Sequence, residues 1–195
     1  MALFPFFINL EGTKGLIVGS GKHAQEKIEK LRPYGPNLTL ISQEDFKENI
    51  LYTNPSFVIV AGSDREQNHE IAAMCRKRRI MVNVVDDPEY CDFIFPSLIS
   101  RGNLSVGICT GGASPAAGML LKSSIEAQIP EHIEEILDFL QQKRPIINQA
   151  FENRKQRFAF YHYISELCIS LDRPLTEDEF ERYLKKRIDP IGVCL

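Results

Sequence analysis

The chain has 195 residues, 44% hydrophobic and 25% charged, with a formal net charge of −3. These are the proportions of a soluble globular protein, long enough for one domain and an appendage. The charge gives no reason to expect nucleic acid or an anionic membrane as partner, and no apolar run approaches the ~20 residues of a membrane span.

Residues 1–7 lack a basic n-region and soon turn polar, so no signal peptide is expected. Leu16, Ile17 and Val18 then form a short buried strand. It leads into Gly19-Ser20-Gly21-Lys22-His23-Ala24, a glycine-rich turn that opens a helix over 22–31. Pro33, Gly35 and Pro36 end that helix and turn the chain. A second strand follows over 38–41, and a third over 57–61, where FVIVA is continuously apolar. Such a run fits a parallel strand buried on both faces. Residues 65–77 read as a helix with Ile71, Met74 and Cys75 on one face, and 80–85 as a fourth strand. This β-α-β order predicts an α/β fold with a doubly wound parallel sheet.

The pattern changes after that. Residues 93–100 and 104–110 read as two strands joined by Arg101-Gly102-Asn103, a β-hairpin extension rather than another crossover. Gly111 and Gly112 mark a boundary, and the rest is helical. Ser114-Pro115 is an N-cap with proline at N1. Pro130 opens a helix with Ile133, Ile136, Leu137 and Leu140 on one face. After Pro145, Phe151, Phe158, Tyr161, Leu167, Cys168 and Leu171 form a longer apolar stripe. The last helix starts with a Thr176/Glu179 capping box and a Leu175/Phe180 staple. The expected domains are a dinucleotide-binding domain over 1–112, a helical dimerisation region over 113–145 and a C-terminal helical domain over 146–195. Such short helices are not expected to bury their faces alone, so they pack on a partner subunit or over the sheet domain.

The five cysteines, Cys75, Cys91, Cys109, Cys168 and Cys194, form no C-x-x-C and are odd in number. That fits reduced thiols in a cytoplasm, used mostly as small buried residues. His23, His69, His132 and His162 are scattered, and no metal site is expected.

The first glycine turn is the strongest functional signal. In G-x-G-x-x-A, Gly19 permits the tight turn, Gly21 lets backbone approach a pyrophosphate, and Ala24 lets helix and strand pack closely. The helix N-terminus adds free N–H groups and a positive dipole end. This is the Rossmann arrangement, although such glycines also serve ordinary βα turns. Ligands of such sheets bind outside the carboxyl ends of the strands. Ser42-Gln43-Glu44 and Gly62-Ser63-Asp64 lie there. The acidic residue sought after strand two comes late, as Glu44, so this position leaves NAD against NADP open. At the end of strand four, Asn83 precedes Asp86 and Asp87. Adjacent carboxylates repel, and one is expected to have a raised pKa fit for general-base work. An ordinary Asp-Pro turn explains the pair equally well. Thr110-Gly111-Gly112-Ala113-Ser114-Pro115 forms either a backbone nest for an anionic substrate group or a hinge. Residues 143–187 carry ten Lys/Arg against seven Asp/Glu, leaving about −6 elsewhere. A basic lobe can steer a polyanion, though solvated helix faces account for the same charges.

Together, Phe4-Pro5-Phe6-Phe7-Ile8-Asn9-Leu10, Val18-Gly19-Ser20-Gly21, Val58-Ile59-Val60-Ala61, Asn83-Val84-Val85-Asp86-Asp87, Phe93-Ile94-Phe95-Pro96-Ser97 and Thr110-Gly111-Gly112-Ala113-Ser114-Pro115 resemble the precorrin-2 dehydrogenase family. That family includes the N-terminal module of siroheme synthases and stand-alone relatives. The resemblance covers about the first 120 residues. It implies NAD-dependent oxidation of precorrin-2 to sirohydrochlorin, and a homodimer with its active site between the Rossmann and helical parts. It gives Asp87 the general-base role. It places Lys22, His23, Gln43 and Glu44 along the cofactor, beside Gly19, Ser20, Gly21 and Ala24 of the turn and Ser42, Gly62 and Asp64 of the strand ends, which are expected there from their positions. Asn83, Asp86, Thr110, Gly111, Gly112 and Ser114 are then expected at the substrate, whose eight carboxylates suit a basic lobe. Ser20 stands where the family usually has glycine, and Lys22-His23 replaces the commoner acidic-then-apolar pair. Some members also insert iron through the same cleft, so a bifunctional dehydrogenase and ferrochelatase is one alternative. A dehydrogenase working beside a separate chelatase fits the length, and a non-catalytic NAD-sensing module is a further alternative.

Overall fold

A computed structural model describes residues 3–188 of the chain. They form two compact units. The first runs through Pro96 and takes in Gly111–Ala113; the second takes Ser97–Thr110 and continues from Ser114.

The first unit is a four-stranded parallel sheet in the order β2-β1-β3-β4. Its strands are β1 (Lys14–Gly19), β2 (Asn37–Ile41), β3 (Phe57–Ala61) and β4 (Met81–Val84). Helices α1 (Lys22–Leu31) and α2 (Arg65–Lys77) are the crossovers. Side chains alternate along a strand, so each strand feeds two cores. Leu16 and Val18 join Val58, Val60, Val82 and Val84 against Ile71, Ala72 and Cys75 of α2. Ile17 joins Phe57 and Ile59 against Ala24 and Leu31 of α1. Helices therefore cover both faces, the doubly wound arrangement expected. No helix among the described residues is long and apolar enough to cross a membrane.

The second unit opens with the antiparallel hairpin β5 (Ser97–Arg101) and β6 (Leu104–Ile108). Helices α3 (Pro115–Glu126), α4 (Ile133–Ala150), α5 (Arg154–Leu171) and α6 (Glu177–Ile188) follow. Ser114 caps α3, its Oγ accepting from the Ala117 N–H at 3.1 Å, with Pro115 in the first turn. Both halves of the α6 capping box are made. The Glu179 N–H donates to Thr176 Oγ1 at 3.2 Å, and the Thr176 N–H to Glu179 Oε2 at 2.9 Å. Leu175 and Phe180 are buried in the same cluster, as a staple requires.

Several expectations change. The first hairpin strand begins at Ser97, not at 93. Pro96 has no N–H for a ladder, and Phe93 and Phe95 pack instead on the α1 side of the sheet. The hairpin belongs with the helices rather than with the sheet, because its turn packs on α4: Asn103 Nδ2 donates to Asp138 Oδ1 at 2.9 Å. Pro145 does not end a helix but sits inside α4. Interior proline costs about 3 kcal/mol, and here Lys143 and Ile147 on either side are buried. The α5 stripe is Phe160, Ile164 and Cys168, one face away from exposed Phe158 and Leu171. The helices also bury their own core. Ile136, Phe139 and Ile147 of α4 meet Phe160 and Ile164 of α5 and Phe180 of α6. That core spans residue 145, so 113–145 and 146–195 are not separate there. Lys143 is buried within it, paired with Glu177 and lying 5.1 Å from the Phe180 ring centroid. A buried cation needs such partners. Cys75 and Cys168 are buried as expected, Cys91 is half-buried and Cys109 is exposed. Cys194 lies outside the described residues.

Candidate functional site

The site forms at the carboxyl edge of the sheet, where strand order reverses between β1 and β3. Gly19 pairs with Ala61 across that crest. Gly19 has φ 133°, and a Cβ there would overlap the Ala61 carbonyl. Gly21 has φ 86° with open space around it, so its need for glycine is purely conformational. No side chain caps the N-terminus of α1, and its first turn holds no acidic residue. Exposed amides and a positive dipole end remain there for an anion. Ala24, 1% exposed, seats α1 on the sheet. The residues present therefore fit a dinucleotide pyrophosphate.

Beside this turn lies an open cavity of about 260 Å³ lined by Ser20, His23, Ser42, Gln43, Glu44, Ala61, Gly62 and Ser63. Its volume falls just below the roughly 300–1,000 Å³ of sites that enclose a whole ligand. Six predicted residues are thus brought together. Ala61 and Ser63 complete the lining. Ser42 Oγ is engaged by Asp45, donating to Oδ2 at 2.7 Å. Asp64 caps α2, its Oδ1 accepting from the Gln67 N–H at 3.1 Å. Lys22 is exposed and lies 3.8 Å from Glu26. Glu44 is exposed and carries no hydrogen bond.

The carboxylate pair at the end of β4 is split by its backbone. Asp86 has φ 61°, a left-handed turn position. Asp86 is exposed without a hydrogen-bond partner, whereas Asp87 is 7% exposed. Asp87 Oδ2 lies 2.7 Å from His69 Nε2 and accepts from Arg65 Nε at 3.1 Å. The His69 hydrogen bond, seconded by Arg65, holds the Asp87 carboxyl below its ordinary range against the opposing effect of burial. The raised pKa expected of the pair is not found at Asp87, because its two donors outweigh the effect of burial. Tyr90 stacks on His69 with ring centroids 3.6 Å apart and planes at 2°. Sequence reading missed Arg65 and His69, although their i, i+4 spacing put them on one face of α2. Lys27 was missed too. Its ammonium sits 4.3 Å from the Phe95 ring centroid. Burial lowers its pKa, helped by Lys30 and opposed by Asp86.

Asn83 is buried. Its Nδ2 donates to the Phe93 carbonyl at 2.9 Å and to Cys91 Sγ at 3.4 Å. Its Oδ1 is buried without a partner. Gly111 and Gly112 have φ 63° and 85°. In the second unit, Thr110 Oγ1 donates to the Ser114 carbonyl at 3.2 Å. Among the described residues no group of three or more His, Cys, Asp or Glu side chains is placed to hold a metal.

Strand order, glycine turn and cavity define a dinucleotide-binding α/β domain, and residues 6–97 match the family described as "Putative NAD(P)-binding". The likeness extends further along the chain. The siroheme synthase of Nitrosomonas eutropha is 31% identical over 218 aligned positions, covering 98% of this chain and 46% of that protein. The siroheme synthase of Methylobacillus flagellatus is 28% identical over 206 positions, covering 96% and 44%. The chain is similar to these siroheme synthases and spans less than half of their length. Among solved structures, one titled "SirC, precorrin-2 dehydrogenase" has the same fold, with a TM-score of 0.65 and 22% identity. The match covers 95% of this chain and 98% of that one.

Proposed function

We propose that the chain is an NAD-dependent dehydrogenase that oxidises precorrin-2 to sirohydrochlorin in siroheme biosynthesis. The observation that carries this reading is the alignment of nearly the whole chain with siroheme synthases. The cleft at the α1 N-terminus supports it, since Gly19, Ser20, Gly21 and His23 are arranged to hold the cofactor. NAD supplies a hydride acceptor when bound. The protein's own task is to hold the substrate and take the proton that leaves with the hydride.

The resemblance gives that proton to Asp87. The arrangement favours a division of labour within the pair. Asp87, buried and engaged by His69 and Arg65, is a weak base and a firm anchor. Asp86, exposed on the left-handed turn that Asp87 anchors, has its oxygens open to accept a proton. Asp86→Asn is expected to lower turnover by about 10²–10⁴-fold with NAD affinity kept. Asp87→Asn is expected to retain more activity than Asp86→Asn. The reverse order returns the base role to Asp87.

We also propose a homodimer in the cytoplasm. Met119, Leu120, Leu121 and Ile125 of α3 are exposed together, which supports self-association. The unpaired thiols of Cys75, Cys91 and Cys168 suit a reducing compartment. Anaerobic incubation with precorrin-2 and NAD, followed by NADH absorbance and the tetrapyrrole spectrum, tests the assignment. NADH together with sirohydrochlorin supports it. Folded, NAD-binding protein without turnover sinks it and favours a sensor. Cobalt or iron added in a second step distinguishes a bifunctional chelatase from a dehydrogenase served by a separate one.

A further inference from the structure

Gln43 and Asn68 are buried polar side chains, 8% and 6% exposed, that touch each other at the floor of the cleft. We propose that this amide pair sets the preference of the site for NAD over NADP by fixing the crest of β2 that carries Glu44. The proposal rests on reading the cleft as an NAD site.

The two amides form one closed network. Gln43 Nε2 donates to Asn68 Oδ1 at 2.9 Å and to the Asp64 carbonyl at 2.8 Å. The Asp64 N–H donates to Gln43 Oε1 at 3.1 Å, and Asn68 Nδ2 to the Gly62 carbonyl at 2.9 Å. Gln67 Nε2 closes the set by donating to the Gln43 main-chain carbonyl at 3.1 Å. β2 and β3 are not neighbours, since β1 lies between them. The network therefore bridges their ends across the end of β1, where the phosphate turn begins. The Gln43 carboxamide lies so close to Gly62 that a Cβ there would overlap it.

Both N–H donors of Gln43 are used within this bridge, so Gln43 lines the cavity without offering a donor to a ligand. Its role is to position its neighbour. Glu44 faces the same cavity as Ser20 and His23. In dinucleotide clefts an acidic side chain on this wall accepts from the adenosine ribose hydroxyls and repels a 2′-phosphate. A satisfied buried amide network is rigid, and losing one member leaves the others unpaired in a low-dielectric setting. The bridge thereby converts a carboxylate on an exposed turn into a fixed one. Lys22 and His23, at the start of α1, lie 3.8 and 3.9 Å from Glu26.

The experiment measures Kd for NAD and NADP by calorimetry on the full chain and four variants. Wild type is expected to bind NAD at least about tenfold tighter than NADP, the worth of one charge-assisted hydrogen bond. Glu44→Gln, Asn68→Ala and Gly62→Ala are each expected to cut that ratio by about tenfold. The double variant Asn68→Ala/Glu44→Gln is expected to fall no further than Glu44→Gln. Gly62→Ala displaces Gln43 by steric overlap and leaves all hydrogen-bonding groups in place, so it serves if Asn68→Ala does not fold. Equal weakening of both cofactors, with the ratio unchanged in folded Asn68→Ala or Gly62→Ala, makes the pair merely structural and overturns the proposal. Wild type that binds NADP as well as NAD overturns it while sparing the cofactor reading. Wild type that binds neither overturns both.

Discussion

Asp87 shows how one residue's surroundings fix its use. Its carboxyl is held below the ordinary aspartate value of 3.8 by His69 first and Arg65 second. A depressed folded-state pKa stabilises the fold above the unfolded value and loses that effect as pH falls through the folded one. The melting-temperature gap between wild type and Asp87→Asn is therefore expected to be full above pH 3.8 and to close below it. A gap equal at pH 3 and pH 6 would count against the ion pair. The sequence made the glycine turn legible because Gly19 and Gly21 answer to local backbone geometry. It hid the Asp87 partners because they lie 18 and 22 residues away. Only the docking of α2 on β3 and β4 brings them to it. The bond from Gln43 to Asn68 is hidden for the same reason: nothing local says that the amide points inward.

At the scale of elements, the start of α6 carries its own test. Glu179 is held at about 2 by Arg173 first and then by the Thr176 N–H. Glu179→Ala is expected to lower the melting temperature at neutral pH. That difference shrinks as pH drops from 4.5 toward 2, because wild type then loses the same interaction by protonation. Thermal melts across this range check it, and a difference that grows on acidification excludes the cap as its cause. The box was legible because Thr176 and Glu179 lie within one turn. Pro145 was not, since the rule that proline ends a helix is local and the core around Ile147 overrides it. In α5, Phe158 and Phe160 compete for the buried face, and composition alone cannot choose between positions two apart.

For the whole molecule, the exposed residues of α3 set the expectation. Sedimentation of the wild type is expected to give twice the 22.2 kDa chain mass. Leu120→Glu with Leu121→Glu is expected to give monomers with the melting temperature of the second unit's core retained. A monomeric wild type would remove the dimer from the proposal. The chain passes between its two units three times, after Pro96, after Thr110 and after Ala113. Gly111–Ala113 is thus a short return of the chain to the sheet unit. No single cut can release either unit whole. A truncation after Pro96 takes three residues from one unit, and a truncation after Ala113 leaves the other's hairpin behind. The two are genetically inseparable by deletion, and recombination that swaps either for a homologous part must exchange both junctions of that glycine segment together.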